Sequence, residues 1–274
     1  MKTRIISATV GIALFVGAIV LALTVNTVIL NILLALIGAL GVYEALHNTK
    51  YVKSWWLLSP CLLYALVTPF AMNGYINIST DLFAVALCVF ALTASMFKHK
   101  TVAPLESAYA VGLTLVITYC FSSMAAIFGS FDGHGLFYMI LMFLAAWGCD
   151  TGAYFTGYFF GKHKMAPEIS PKKTVEGAVG GIVTAVIVMI AACLIFGAVT
   201  GDTANILLIA LLTPILSFAG MMGDLVASYI KRASGIKDYG NIMPGHGGVL
   251  DRFDSVMMIA PIMYVLLSFC QFVI

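Results

Sequence analysis

Long apolar runs recur along this chain, near residues 5–23, 27–46, 54–72, 81–97, 105–128, 135–160, 175–199, 204–230 and 253–273. A helix needs about 20 mainly apolar residues to cross the hydrocarbon core of a bilayer, and these runs approach or exceed that length. The sequence therefore predicts an all-α integral membrane protein, a polytopic bundle of about nine transmembrane helices. Composition agrees, because 9% of the residues are charged and 62% are hydrophobic, whereas roughly a quarter of a soluble domain is charged.

The charges test the number of spans independently. All 14 Lys and Arg residues lie between alternate runs or before the first. Lys2 and Arg4 precede the first run, Lys50 and Lys53 follow the second, and Lys98 and Lys100 follow the fourth. Lys162, Lys164, Lys172 and Lys173 follow the sixth, while Lys231, Arg232, Lys237 and Arg252 follow the eighth. With nine spans these segments share one face, and the opposite loops carry acids such as Asp132 and Asp202. Basic residues collect on the cytoplasmic side, so the N-terminus is expected in the cytoplasm and the C-terminus outside. One span more or fewer would scatter them over both faces.

The first run is longer than the apolar part of a signal peptide and reads as a retained span. The polar connections near 161–174 and 231–252 are too short to fold separately. One continuous membrane domain is expected, with scaffold helices over 1–130 and the catalytic helices and loops over 131–274. Six cysteines, at positions 61, 88, 120, 149, 193 and 270, are dispersed through apolar runs and read as packing residues. Glu44, His47, His99 and Glu106 fall near membrane ends on the basic side and read as solvated boundary residues. A basic face suits an anionic leaflet or anionic substrates; nucleic acid is not an expected partner.

Chemistry concentrates in the second half. Asp150 stands 12 residues before Lys162, about 18 Å along a helix. An ionisable group near mid-membrane is a functional candidate, the alternative being an acid that ties helices together. Asp150, Tyr154, Gly157 and Gly161 share a helical spacing that predicts one closely packed face. The segment Ser170-Pro171-Lys172-Lys173-Thr174-Val175-Glu176-Gly177 leads into the seventh run, with Ser170 as N-cap and Pro171 in the first turn. Free N–H groups, a positive helix end and two lysines suit an anion. An ordinary positively charged flank is the alternative. Gly177 and Gly181 form a helix-packing spacing.

The stretch from Asp224 to Asp254 holds eight charged side chains: Asp224, Lys231, Arg232, Lys237, Asp238, Asp251, Arg252 and Asp254. Asp224, Ser228 and Arg232 line one helical face. Asp251 and Asp254, three residues apart, share a side of the incipient ninth helix. Antiparallel packing would let Asp224 and Asp251 converge on a hard cation through oxygen ligands; ion pairs with Arg232 or Arg252 are the structural alternative. Between them, Pro244-Gly245-His246-Gly247-Gly248 is a loop whose backbone N–H groups suit phosphate oxygens. His246 serves there as a phosphate donor, a base or a loop-ordering partner.

The string from Ser228 to Asp254, with Lys231-Arg232, Lys237-Asp238, Pro244-Gly245-His246-Gly247-Gly248 and Asp251-Arg252-x-Asp254, resembles the signature of the phosphatidate cytidylyltransferases, or CDP-diacylglycerol synthases. Asp150-Thr-Gly-Ala-Tyr154-x-x-Gly157 and the Ser170–Gly177 segment resemble two further blocks of that family. The resemblance implies transfer of CMP from CTP to phosphatidic acid, with release of pyrophosphate, in phospholipid synthesis. The lipid phosphate is itself the nucleophile, so the protein's work is alignment and charge neutralisation. Magnesium is implied at Asp224 and Asp251, with Asp150 a third candidate ligand, and a second, monovalent cation such as K+ is implied beside it. The candidate catalytic residues are Lys173, Lys231, Arg232, Lys237, Asp238, His246, Arg252 and Asp254. Candidate substrate-binding residues are Ser170, Lys172, Thr174, Glu176, Ser228, Gly245, Gly247 and Gly248. A bacterial cytoplasmic (inner) membrane protein is expected, with CTP, phosphatidic acid and membrane lipid as partners, a site open to the cytosol and room for a homodimer. A CTP-dependent lipid kinase and a cation-coupled transporter are the rival functions; the transporter explains Asp150 but not the Lys-Arg and Gly-His-Gly-Gly segments.

Overall fold

The structure, a computed structural model, describes residues 2–131, 133–242 and 247–274; Asp132, Pro244, Gly245 and His246, named above, lie outside the described residues. Among the described residues the chain forms nine α-helices and one short hairpin. The helices are α1 (Lys2–Thr24), α2 (Val28–Tyr43), α3 (Trp55–Met72), α4 (Thr80–Phe97), α5 (Pro104–Ser130), α6 (Gly135–Phe160), α7 (Val175–Thr200), α8 (Ile206–Ala233) and α9 (Leu250–Phe269). Each coincides with one of the apolar runs to within a few residues. Eight are long and apolar enough to cross a membrane, α2 together with the π turn Glu44–Asn48 that extends it. The remaining one, α1, contributes a shorter apolar stretch, Thr9–Thr24.

By contact the chain divides into two compact units. The first contains the residues up to Gly129 together with Lys231–Phe253. Its core is aliphatic and aromatic: Leu30, Leu34 and Leu46 from α2 and its extension, Leu57 from α3, Phe121 and Met124 from α5, and Tyr239 are all 1% exposed or less. Hydroxyls within these helices bond backward to their own backbone, as Thr68 does to the Tyr64 carbonyl at 2.7 Å and Thr114 to the Ala110 carbonyl at 2.7 Å. Such bonds satisfy polar groups where no water competes. Glu106, expected as a solvated boundary residue, accepts from the N–H groups of Lys53 and Ser54 at 3.0 and 3.4 Å, at the entry to α3.

The second unit contains Ser130–Ile230 and Asp254–Ile274. Its spine is the pairing of α6 with α7. A Cβ on Gly177 would lie 2.8 Å from the Ala153 carbonyl oxygen, and one on Gly181 would lie 2.6 Å from that of Cys149, so only glycine permits this approach of two backbones. The packed line on α6 is Cys149, Ala153 and Gly157. Gly157 was expected in that line; Cys149 and Ala153 stand where Asp150 and Tyr154 were expected, and Tyr154 is 68% exposed.

After α6 the chain makes an antiparallel hairpin, β1 (Lys164–Ala166) and β2 (Ser170–Thr174), with Lys164 opposite Thr174 and Ala166 opposite Ser170. This corrects the expectation of Ser170 as N-cap and Pro171 in the first helical turn. Pairing with β1 keeps Ser170–Thr174 extended, so the helix starts at Val175 and Thr174 is its cap. The Thr174 hydroxyl accepts from the Gly177 N–H at 3.1 Å. At the far end, Gly201 closes α7 in a left-handed conformation, φ 83°. The C-terminal residues tie to the α7–α8 connection through Asn205 N–H to the Phe272 carbonyl and Ile274 N–H to the Thr203 carbonyl, both 2.8 Å.

Candidate functional site

In the second unit three elements bring Asp150, Lys173 and Asp224 together. The hairpin sets Lys173 on β2, one residue before the cap, and its Nζ lies 2.6 Å from Asp224 Oδ2 on α8. Both side chains are about one quarter exposed, at 23% and 27%. The contact lacks the angles of a hydrogen bond, so the buried ammonium has a charge partner but no directed acceptor. Asp224 Oδ1 accepts from Ser228 Oγ, one turn on, at 3.3 Å. Asp150 Oδ2 accepts from Ser255 Oγ of α9 at 3.1 Å and feels the charges of both Asp224 and Lys173.

Glu176, expected to extend this anion site, is engaged elsewhere. Its carboxylate accepts from the Lys162 N–H at 3.1 Å and the His163 N–H at 3.2 Å, and pairs with His163 Nδ1 at 2.6 Å. A carboxylate in the first turn of α7 also suits the helix dipole. Lys172 points outward, exposed on β2 beside the half-buried Ser170.

In the first unit the polar segment forms a second cluster. Lys231 Nζ, in the last turn of α8, donates to Asp251 Oδ1 at 2.6 Å; these side chains are 9% and 2% exposed. Asp251 Oδ2 accepts from two backbone groups, Tyr239 N–H at 2.8 Å and Gly248 N–H at 2.9 Å. The Lys231 ammonium also lies 5.3 Å from the centre of the buried Tyr239 ring. Gly247, at φ 85°, makes the turn that brings this backbone to Asp251. Lys237 and Asp238 line an open pocket of about 460 Å³ with Asn48, Ile236, Tyr239, Gly240 and Asn241. Arg232 closes the end of α8 by donating to the Ile236 carbonyl at 3.3 Å. Arg252 is exposed in the first turn of α9, and Asp254 Oδ1 accepts from the Ser255 N–H at 2.9 Å.

Neither aspartate pairs with an arginine: the ion-pair partners are Lys173 and Lys231, not Arg232 or Arg252. The structure also corrects the reading of Glu44. Expected as a solvated boundary residue, it is 0% exposed and accepts from the N–H groups of Val249 and Leu250 at 3.0 and 2.9 Å. Its partners are 205 and 206 residues away in the chain, beyond any local pattern. The available signal was an acid at the end of an otherwise apolar run.

The cytidylyltransferase family model matches residues 2–270. The chain belongs to the cytidylyltransferase family. Among its relatives, the phosphatidate cytidylyltransferase of Bacillus subtilis (strain 168) is 35% identical over 275 residues, 98% of each chain. Those of Staphylococcus haemolyticus (strain JCSC1435) and Staphylococcus aureus (strain COL) are each 33% identical over 273 residues, covering 97% of this chain and 99% of theirs. The similarity is end to end, so family membership extends to the N-terminal helices, where the motifs quoted above do not reach.

Proposed function

We propose that this membrane enzyme transfers CMP from CTP to phosphatidic acid, using Lys173 and the cations of the Lys231–Arg252 segment to hold substrate phosphates. A phosphate oxygen of the lipid forms a bond to the α-phosphorus of CTP. The bond from that phosphorus to the oxygen bridging to the β-phosphate breaks, and pyrophosphate leaves with the electron pair. CDP-diacylglycerol is the lipid product. No protein nucleophile is needed, so the residues have to align two phosphates and offset their mutual repulsion.

The observation that carries the reading is Lys173. Its buried ammonium lies against one carboxylate oxygen, Asp224 Oδ2, at 2.6 Å, and an ammonium carries three donors, so donors remain for a phosphate oxygen. The first unit offers a second candidate phosphate contact. Lys237 stands at an open pocket of about 460 Å³, within the range of small-molecule sites.

Magnesium fits the acids of this chain. Among the described residues no three His, Cys, Asp or Glu side chains cluster closely enough to cage a metal by themselves. Magnesium is commonly held by one or two carboxylates plus substrate phosphates, so a cage is not required. In the second unit Asp224 already holds a cationic nitrogen at 2.6 Å, and Asp150 adds negative charge beside it; these two would hold an ion there, while Asp251 in the first unit, which holds the Lys231 nitrogen at 2.6 Å, is the other candidate ligand. When bound, it supplies neutralisation of the triphosphate charge. The residues single out no set for a second, monovalent ion. The one-sided placement of Lys and Arg, together with the use of CTP, supports a site open to the cytosol in the bacterial cytoplasmic membrane.

The test is a product assay on the purified protein in detergent, with magnesium, phosphatidic acid and CTP labelled at either the α- or the γ-phosphate. The expected result is α-label in extractable lipid and γ-label in pyrophosphate. Label from the γ-phosphate in lipid would identify a kinase, and folded protein that makes no labelled lipid would overturn the reading. Lys173→Met is expected to lower kcat/KM by about 100-fold or more, the scale of losing a preorganised charge contact.

A further inference from the structure

The π turn Glu44–Asn48 at the end of α2 stands in an N-terminal helix to which no chemistry has been assigned, yet it grips the polar loop at two points. Glu44 Oε1 accepts from the Val249 N–H at 3.0 Å and Oε2 from the Leu250 N–H at 2.9 Å. These are consecutive N–H groups at the start of α9, which would otherwise lack acceptors. Asn48 Nδ2 donates to the Tyr239 carbonyl at 2.6 Å. The inserted residue of a π turn changes which side chains face a neighbour, and such turns occur often at functional sites.

The loop is shaped around Glu44. A Cβ on Gly240 would lie 2.5 Å from Glu44 Oε1, and one on Gly248 would lie 2.5 Å from Oε2, so glycine on both passes of the loop leaves space for the carboxyl group. Asp251 completes the arrangement, since its Oδ2 takes the Gly248 and Tyr239 N–H groups. Three successive N–H groups, at 248, 249 and 250, thus end on two acids. Lys237 and Asp238 directly precede the anchored Tyr239, and Arg252 directly follows Asp251.

We propose that Glu44, assisted by Asn48, is a positioning residue that sets the geometry of the substrate-contacting loop around Lys237, Gly247–Gly248 and Arg252. This rests on the reading of that loop as part of the site. Glu44 touches no reacting atom in this account; it acts through the backbone that carries the contacts. Glu44→Gln keeps the shape and one acceptor oxygen but turns an amide donor toward the other N–H. The loop keeps its chain path and loses its exact setting.

The experiment measures apparent KM for CTP and for phosphatidic acid, kcat and unfolding temperature for wild type, Glu44→Gln, Asn48→Ala and Lys237→Ala, all in detergent. Glu44→Gln is expected to raise KM for a substrate roughly tenfold, the scale of one lost hydrogen bond to a charged group. Asn48→Ala should move the same constant in the same direction by less. A merely structural role predicts something different: kcat per mole of protein falls with the folded fraction while both KM values stay at wild type. That pattern overturns the proposal, as do wild-type constants in a folded Glu44→Gln. If Glu44→Gln does not fold, Asn48→Ala decides by the same criterion. Lys237→Ala separates the positioning role of Glu44 from the membership of the loop in the site. Impaired Lys237→Ala beside normal Glu44→Gln sinks only the positioning role; wild-type kinetics in both removes the loop from the site and the proposal with it.

Discussion

Asp224 and Asp251 each hold a lysine ammonium at 2.6 Å, but in different surroundings. Asp251 is 2% exposed in its side chain and also anchors two backbone N–H groups. Asp224 is 27% exposed and has a serine hydroxyl as its other partner. Breaking a buried pair by removing one charge costs about 3–5 kcal/mol, because the remaining charge is stranded. The half-buried pair of Lys173 and Asp224 strands its remaining charge less completely, so breaking it costs less. Asp251→Asn should therefore lose activity and show the larger drop in unfolding temperature, whereas Asp224→Asn should lose activity by about 100-fold or more with a smaller melting shift. Thermal unfolding and turnover measured on the same preparations check this. Equal melting shifts would mean that the two ion pairs do not differ as their burial indicates.

At the scale of elements, the α6–α7 seam sets where Asp150 and Lys173 can stand, since one lies on α6 and the other on the strand that feeds α7. Gly181 tests that seam. Its added Cβ would lie 2.6 Å from the Cys149 carbonyl oxygen, and backbone cannot swing aside as a side chain can. Gly181→Ala is expected to destabilise by about 1–3 kcal/mol, the usual cost of overpacking. Gly112→Ala in α5 meets nothing within 4 Å and should be neutral or stabilising, by up to about 1 kcal/mol from helix propensity. Thermal unfolding of the pair measures the contrast, and equal effects would show that close backbone approach is not what the glycine serves. The Gly177/Gly181 spacing was legible in the sequence because helix packing has a local period. The hairpin was not: Ser170-Pro171 satisfies the local rules for a helix start, and only pairing with β1 moves the cap to Thr174.

For the whole molecule, topology follows from the placement of Lys and Arg. If α1 crosses the membrane with the other eight helices, every basic residue is expected to face the cytosol and Ile274 the opposite side. Single cysteines introduced after Lys50, Lys98 and Lys172 and near the C-terminus, in a background without the native cysteines, should label from the cytosolic side for the first three and from the opposite side for the last. A C-terminal cysteine that reacts only from the cytosol would reduce the count of spans by one. The division into units adds what topology does not contain: Lys231–Phe253 groups with the N-terminal helices. There it is held by Glu44, Asn48 and the Tyr51 hydroxyl, which donates to the Ala233 carbonyl at 3.2 Å.

The sequence by itself determined the helices and their bounds to within a few residues, because bilayer thickness and charge cost act on each segment locally. The motif between Ser228 and Asp254 likewise carried its family resemblance in adjacent residues. Tertiary structure alone decided which lysine meets which aspartate, where α7 begins and that Glu44 is a buried anchor and not a solvated boundary residue. Those outcomes depend on groups up to 206 residues apart, and a hydrogen bond between them forms only after packing has removed the water that would otherwise satisfy both.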